Sequence, residues 1–568
     1  MSKTHPIQTS FAAGELSHDL WGRIDTDIYK AGVFRSMNMI PDPRGPIERR
    51  AGSEHKNEVS TSNVGCVLKT FFYNREHTYV LAVSPGHTHV ILPNGDMVKT
   101  VPNLYTLEDL TELQAEMHPS GLRIYFTHKL HHPTQLVYTV STRSFVYEDV
   151  PFAHMPSDWG VNNYPRTVAI HQGRSWWAGT VEQPTGIWSS KSGDYDNLSP
   201  GGADDDGVTM QVPRHGTIMW MAASRELLVG TELDEFALLP LTASDFVLKT
   251  DNIKIVRQLS NGTSHIKPEM MHTSLMFVNA NRNKLRSMWY SWTEDGWQST
   301  DLTFNSNHIL ESHVLDSTVM YEPNLRMVLI LENGNMAICS YYQDGEKDPV
   351  LGWGLHNTDG MFLSATRLQL NTGDELWVAV KRTLPTGDRI YVEKIALSGD
   401  KKFYLDSHKV TKFSTPTKVV TGLLHLEGKE VHPVVNEGAI HRPLTVSGGE
   451  ITLDNEVDSV VVGLLSECYL ETLPLITLAQ GESTAGHMKR WVTAKIRLWD
   501  SAKPHINGIL PPDRFPSTLM NTTEPNRTQL LDVTNLGRSV DASLYIDMRI
   551  PRALKVINIT GELGANAL

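Results

Sequence analysis

The sequence predicts a mainly β protein: an irregular β-propeller body, an extended N-terminal arm before it and additional β-modules after it. Three observations carry this. Short runs of strand-forming residues alternate with turn residues for most of the chain. Helical periodicity is scarce. The first 60 residues scatter their apolar side chains singly among Gly, Pro and charged residues, a pattern unable to bury itself. The boundaries drawn from these textures are an arm over 1–60, a propeller-like body over 61–397, a small β-module over 398–480 and a C-terminal β-module over 481–568.

The arm comes first. Phe11, Leu16, Leu20, Trp21, Ile28, Tyr29, Phe34 and Met37 stand apart from one another, and only Ile24 to Phe34 has the spacing of a short helix. Such a segment lies across another surface, either its own domain or a neighbouring subunit, and an assembly interface is the first expectation. Phe11, Gly14, Glu15, Leu16, Trp21, Arg23, Asp25, Tyr29, Arg35, Arg49 and Arg50 are its candidate residues. Glu15 and Asp25 are expected to pair with Arg23, Arg35, Arg49 or Arg50.

From residue 64 the strands begin. Val67 to Tyr73, Tyr79 to Ser84, His89 to Leu92 and Met97 to Val101 are joined by Asn-Arg-Glu-His, Pro-Gly-His and Pro-Asn-Gly-Asp, the last a strong hairpin signal. Four antiparallel strands in about 40 residues is the size of one propeller blade. Comparable groups follow at 122–147, 167–190, 208–239, 271–290 and 319–342, and 363–395 makes a seventh blade or a closing sheet. VILPNGDM at 90–97 is echoed by LILENGNM at 329–336. A β-sandwich array is the alternative. Thr106 to Met117 (TLEDLTELQAEM) reads as the clearest helix, with Leu107, Leu110, Leu113 and Met117 on one face, and Asp301 to Glu311 as another. Beyond Ile395, His425 to Leu465 has the turns of a compact β-module. Trp491 to Leu498 and Ser543 to Ile550 read as strong strands, and Ser501 to Leu536 as a long Pro/Asn-rich projecting loop.

Composition narrows the function. A formal charge of −13 argues against a protein that grips nucleic acid through phosphate contacts, yet suits a wall past which DNA slides. Cys66, Cys339 and Cys468 form no CxxC pair and indicate neither a zinc site nor a disulfide framework, as expected of a chain made in a reducing cytoplasm. The N-terminal residues lack the apolar core of a signal peptide, and no apolar run is long enough for a membrane span.

No catalytic constellation emerges, and the expectation is a non-enzymatic protein without a cofactor. His131, His132, His154 and His171 have no recognised ligand spacing, HExxH is absent, and no metal is assigned. Asp204-Asp205-Asp206 lacks the alternating ligands of a Ca²⁺ loop. SWTEDGW at 291–297 approaches the sialidase Asp-box, but its acid is displaced by one residue, the Thr is missing and no second copy exists. There is no nucleophile elbow and no P-loop.

Several motifs in order carry a likeness: TSFAAGELS (9–17), WGRIDTDIYKAG (21–32), Arg35, Asn38 and PRGPIERRAGS (43–53). They continue with EDLTELQAEMHPSGLRIYFTH (108–128), IWSSKSGDYDNLSPGGADDDGV (187–208), STDLTFNSNHIL (299–310), LGWGLHNTDG (351–360), RIYVEKI (389–395) and HLEGKEV (425–431). Together they resemble the tail nozzle proteins of short-tailed bacteriophages, also called tail tubular protein B and related to the DNA-stabilising hub proteins. His18 and Gly45-Pro46 stand where the family usually has Pro after GELS and a Gly-Gly-apolar stretch before the Arg pair. The resemblance implies a virion protein that forms a homohexameric ring below the portal and tail adaptor, closing the DNA channel until ejection. Tail fibres or spikes would attach near the junction with the adaptor, and viral DNA would pass without sequence-specific binding. The rivals are a cell-surface propeller that binds or cleaves glycans, and a tail adaptor or fibre connector.

Overall fold

The structure is a computed structural model, describing residues 2–60, 65–242, 247–343, 349–396, 402–436, 438–476, 478–479, 482–511 and 526–565. Seven antiparallel blades follow one another around an axis, each with its innermost strand first in sequence except where the arm intervenes. Blade one is Val67–Asn74, His77–Ser84, His87–Ile91 and Met97–Pro102. Blade two is Gln114–Met117, Arg123–His128, His131–Thr139 and Ser144–Asp149. Blades three, four and five begin at Thr167–His171, Ile218–Ala223 and Glu269–Met271, and blade six at Val314–Met320. Blade seven takes three strands from Met361–Leu370, Gly373–Leu384 and Gly387–Ile395, and its fourth, Ser53–Ser60, from the N-terminal side of the propeller.

Apolar layers between blades close the ring. Phe71, Leu81, Val90, Ile124, Phe126 and Phe145 fill the space between blades one and two. Trp159, Val168, Trp177 and Trp188 pack with Tyr125 between two and three, and Ile338, Val328, Leu376 and Val378 join six to seven. Leu68, Val80, Trp377 and Val392 then bind seven back to one. Fully burying side chains of this size contributes about 1.5–3 kcal/mol each.

The arm is woven into the sheets. Arg35–Met37 pairs with Tyr469–Glu471 and touches Val350–His356, so blade six continues through the arm into the C-terminal region. Ser2–Thr4, Ile7–Gln8 and Ile47–Arg49 each pair with Lys555–Ala565, whose other neighbour is Lys489–Ser501. Phe11, Val33, Met39 and Ile47 share one core with Trp491, Ile496, Leu544 and Val556. The small module is a long ribbon of Asp406–Thr421 against Glu450–Leu464, with its own core of Val420, Leu426, Val431, Leu453 and Val460. It extends the blade-seven sheet beyond Ser53–Ser60.

Several expected elements take other forms. The helix expected over 106–117 is a single turn, Asp109–Thr111, followed by the innermost strand of blade two, Gln114–Met117. The Asp109 carboxylate accepts from the N–H and hydroxyl of Thr106, a capping-box arrangement that opens the turn, and the chain then leaves it for the strand at Gln114. The arm's helix shrinks to Asp27–Lys30, and the 301–311 segment is the 3₁₀ stretch Phe304–Leu310. Thr209–Gln211 closes blade three, where the sequence places the opening of blade four, whose own outer strand is Ile253–Leu259. The Asn-Gly echo reflects one turn used in two places. Asn94-Gly95 joins the third and fourth strands of blade one, Asn333-Gly334 the second and third of blade six. Both glycines have φ near +100° or below, at 101° and 82°, which L side chains resist. Ser543 to Ile550 contains only the short strand Tyr545–Asp547. Within the expected projecting loop, His505–Ile506 and Arg527–Val533 are strands, while 512–525 lies outside the described residues. The described helices include none long and apolar enough to cross a membrane.

Candidate functional site

The arm's candidate residues divide into two sets. Phe11 and Leu16 are fully buried within the chain, and Tyr29 is nearly so, donating its hydroxyl to Pro474 O at 2.7 Å. Gly14 lies against the backbone of Trp353, where a Cβ would come within 2.2 Å of the carbonyl oxygen, and its φ is 64°. Glu15 accepts from the Ser36 N–H at 2.8 Å and meets His308 Nε2 at 3.0 Å. Its ion-pair partner is thus His308 on the 3₁₀ stretch, in place of the expected arginine.

Arg49 and Arg50 are both buried. Arg49 donates to the carbonyls of Ile550, Arg552 and Ser466, with its guanidinium 5.5 Å from the Tyr404 ring centroid. Arg50 makes a two-bond pair with Asp406 at 2.8 and 2.7 Å, and also reaches Asn38 Oδ1 and Asn357 O. Burial pushes the Asp406 carboxyl up, but Arg50 outweighs it and holds the group below the usual carboxylate range. Beside it a second buried pair, Arg382 with Glu393, is bonded at 2.8 Å twice, and Ser53 Oγ donates to Glu393. These groups join arm, blade seven and small module in one polar knot. The surface covered by these residues is the chain's own.

The second set faces outward. Arg23 and Asp25 are exposed and paired at 2.9 Å, the partnership the sequence anticipates for Asp25. Arg35 is exposed, 5.2 Å from the Phe34 ring centroid. Trp21 is half-buried, its ring 4.1 Å from Phe34 and 4.0 Å from His18, which stacks on His308 at 5.9 Å. Phe304, 74% exposed on the neighbouring 3₁₀ stretch, extends this aromatic surface. Of the arm's candidate residues, Trp21, Arg23, Asp25 and Arg35 are therefore those that remain available to another molecule.

The propeller axis holds a cavity of about 1190 Å³, lined by the innermost strands of all seven blades. Its walls alternate charge: Lys69, Lys267 and Arg367 against Glu116, Glu269 and Asp316. Lys267 bonds to Glu116 and to the carbonyl of Ala115, while Lys69 stands 3.9 Å from Asp316. Burial raises the Glu269 carboxyl to about 7, against the opposing pull of Arg367 and Lys69.

A third feature lies at the link from blade one to blade two. Asp109, His128 and His131 turn ligand-type atoms toward one another, all within 4.8 Å. The histidines flank the two-residue turn of a hairpin, which the strand register pairs directly across. The sequence search weighed His131 with His132, His154 and His171; the readable signal was instead His-x-x-His at 128–131 with an acid some 20 residues earlier in a short turn. The structure scatters the others: His132 packs on Phe152 and Tyr164, and His171 is buried on blade three. Cys66, Cys339 and Cys468 are free and buried, and burial raises their thiols.

No family model matches the sequence, and no curated protein matches it. Among solved structures, the chain is similar to the WD40 domain of Neurospora crassa Pan2, at 8% identity and a TM-score of 0.37, over 62% of this chain and 97% of that one.

Proposed function

We propose that the chain is a structural virion protein, the tail nozzle subunit of a short-tailed bacteriophage, working as a homohexameric ring below the portal and adaptor. The observation that supports this most is the double use of the signature-bearing arm. Its Phe11, Leu16, Arg49 and Arg50 staple propeller to C-terminal modules, while Trp21, Arg23, Asp25 and Arg35 stay at the surface beside exposed Phe304. A subunit that carries load during ejection needs this kind of internal cross-bracing, and a ring needs an outward-facing patch for its neighbour or adaptor. The charge of −13 per copy favours DNA sliding through without adhesion. In this reading the protein is not an enzyme; its partners are itself, the adaptor, tail fibres or spikes, and passing DNA.

Electron microscopy of the purified protein mixed with its portal–adaptor complex tests the proposal. A six-fold ring with an axial hole is expected; a chain that stays monomeric or trimeric on that template refutes it. The axial cavity with its mixed charges favours a second reading, a glycan-binding or glycan-cleaving propeller. Saccharide binding on a glycan array, or release of reducing sugar, would replace the nozzle assignment with that one.

A further inference from the structure

We propose that Asp109, His128 and His131 form a binding site for a single divalent transition-metal ion of the Zn²⁺ or Co²⁺ type, which ties the blade-one-to-two link onto the hairpin turn of blade two. Two imidazoles and one carboxylate are a donor set such ions take, leaving further positions for water. The three donors come from two short, stiff elements, the single turn Asp109–Thr111 and the tight turn between Arg123–His128 and His131–Thr139.

The geometry suits an ion. Asp109 Oδ1 and His128 Nε2 stand 3.7 Å apart, too far for a hydrogen bond. An ion at about 2.1 Å from each would subtend an angle of about 125°, near that of a distorted tetrahedron. The other carboxylate oxygen, Oδ2, is already oriented by the Thr106 N–H and hydroxyl, both at 2.8 Å, the kind of outer support that fixes ligating carboxylates. His131 Nε2 now meets Oδ2 at 2.8 Å and reaches the ion by a small turn of its ring. Its side chain is 23% exposed, which gives the ion an entry path.

Lys129 and Arg166 are both bonded to the Glu112 carboxylate, at 2.9 and 2.8 Å, which offsets part of their positive charge near the site. Metal on Nε2 places the ring proton on Nδ1. The Leu130 N–H then gives up its long 3.4 Å approach to Nδ1.

The full chain, stripped with a chelator and desalted, is titrated with Zn²⁺ by calorimetry and with Co²⁺ by visible absorption. Wild type is expected to bind one ion per chain and to gain thermal stability from it. His128→Ala and His131→Gln should each weaken binding at least tenfold and abolish the Tm gain. His132→Ala, one residue away, should change neither. Absence of stoichiometric binding by wild type, equal binding by His131→Gln, or an equal loss in His132→Ala overturns the proposal. Circular dichroism in chelator confirms that each variant is folded; if His128→Ala is not, the partly exposed His131→Gln decides alone.

Discussion

Removing Asp406 should loosen the seam between arm, propeller and small module. Its carboxylate and Arg50 have 1% side-chain exposure each, and the pair is closed by two bonds of 2.8 and 2.7 Å. Asp406 Oδ1 also accepts the Ser53 N–H at 3.2 Å, at the start of the strand that closes blade seven. Asp406→Ala leaves the Arg50 guanidinium buried with only neutral partners, and breaking a buried pair from one side costs about 3–5 kcal/mol. Substituting both partners, Arg50→Met with Asp406→Leu, removes the uncompensated charge and should recover most of that loss. Global melting of so large a chain is not a two-state event, so the effect is best read locally. Hydrogen exchange should accelerate in Arg35–Met37, Ile47–Arg49 and Ser53–Ser60 by a factor of about 100 or more in the single variant, and far less in the double. Acid should mimic the single variant. A carboxyl depressed in the folded state contributes stability above its unfolded value, and that contribution disappears as pH falls through the folded value, below about 4 here. A cost under about 1 kcal/mol, or unchanged exchange in those strands, would refute the view that the buried pair holds the seam.

Other outcomes follow from neighbouring features. Gly14→Ala puts a methyl 2.2 Å from the Trp353 carbonyl oxygen at a φ of 64°, and should destabilise the arm by about 2 kcal/mol or more, seen as a lowered Tm. His55 and His425 stack at 4.1 Å, and burial lowers each to about 3. The unfolded chain therefore binds more protons between about pH 3 and 6.5. Stability should fall on acidification through that window, with a limiting slope of about 1.4 kcal/mol per pH unit per group. Denaturant midpoints measured against pH check this, and His425→Gln should flatten the slope. Phe304→Ser removes an exposed ring without opening a core, so stability should hold within about 0.5 kcal/mol while ring formation on the adaptor drops; unimpaired assembly would remove this patch from the proposed interface.

Blades were legible where their physics is local. Alternating residues and an Asn-Gly turn at Asn94-Gly95 mark blade one almost strand for strand. Outer strands were harder, because solvent on one side leaves them polar: Ser53–Ser60 reads SEHKNEVS and gives no hydrophobic signal. Gln114–Met117 was hidden for the opposite reason, since LEDLTELQAEM has helical spacing and only the walls of the axial cavity make it a strand. The arm's apolar residues correctly announced a buried role, but their partners lie hundreds of residues away, and nothing in local pattern distinguishes the chain's own C-terminal sheet from a second subunit. The Asp109, His128 and His131 grouping was missed through pairing by sequence neighbourhood instead of across a turn.

The strand Ser53–Ser60 sets a timetable for biogenesis. It leaves the ribosome early but pairs with Gly387–Ile395, so blade seven waits for more than 300 further residues, on the order of 20–60 s at ordinary elongation rates. During that interval its edge is unpaired, and six completed blades form an open arc with two uncovered apolar faces. The polar SEHKNEVS sequence suits such a wait, because Lys and Glu on an idle edge discourage pairing with other nascent chains. Asp406, which meets Arg50, follows soon after Gly387–Ile395 in the chain, so the propeller and the small module are joined to the arm late in synthesis and close to the same moment.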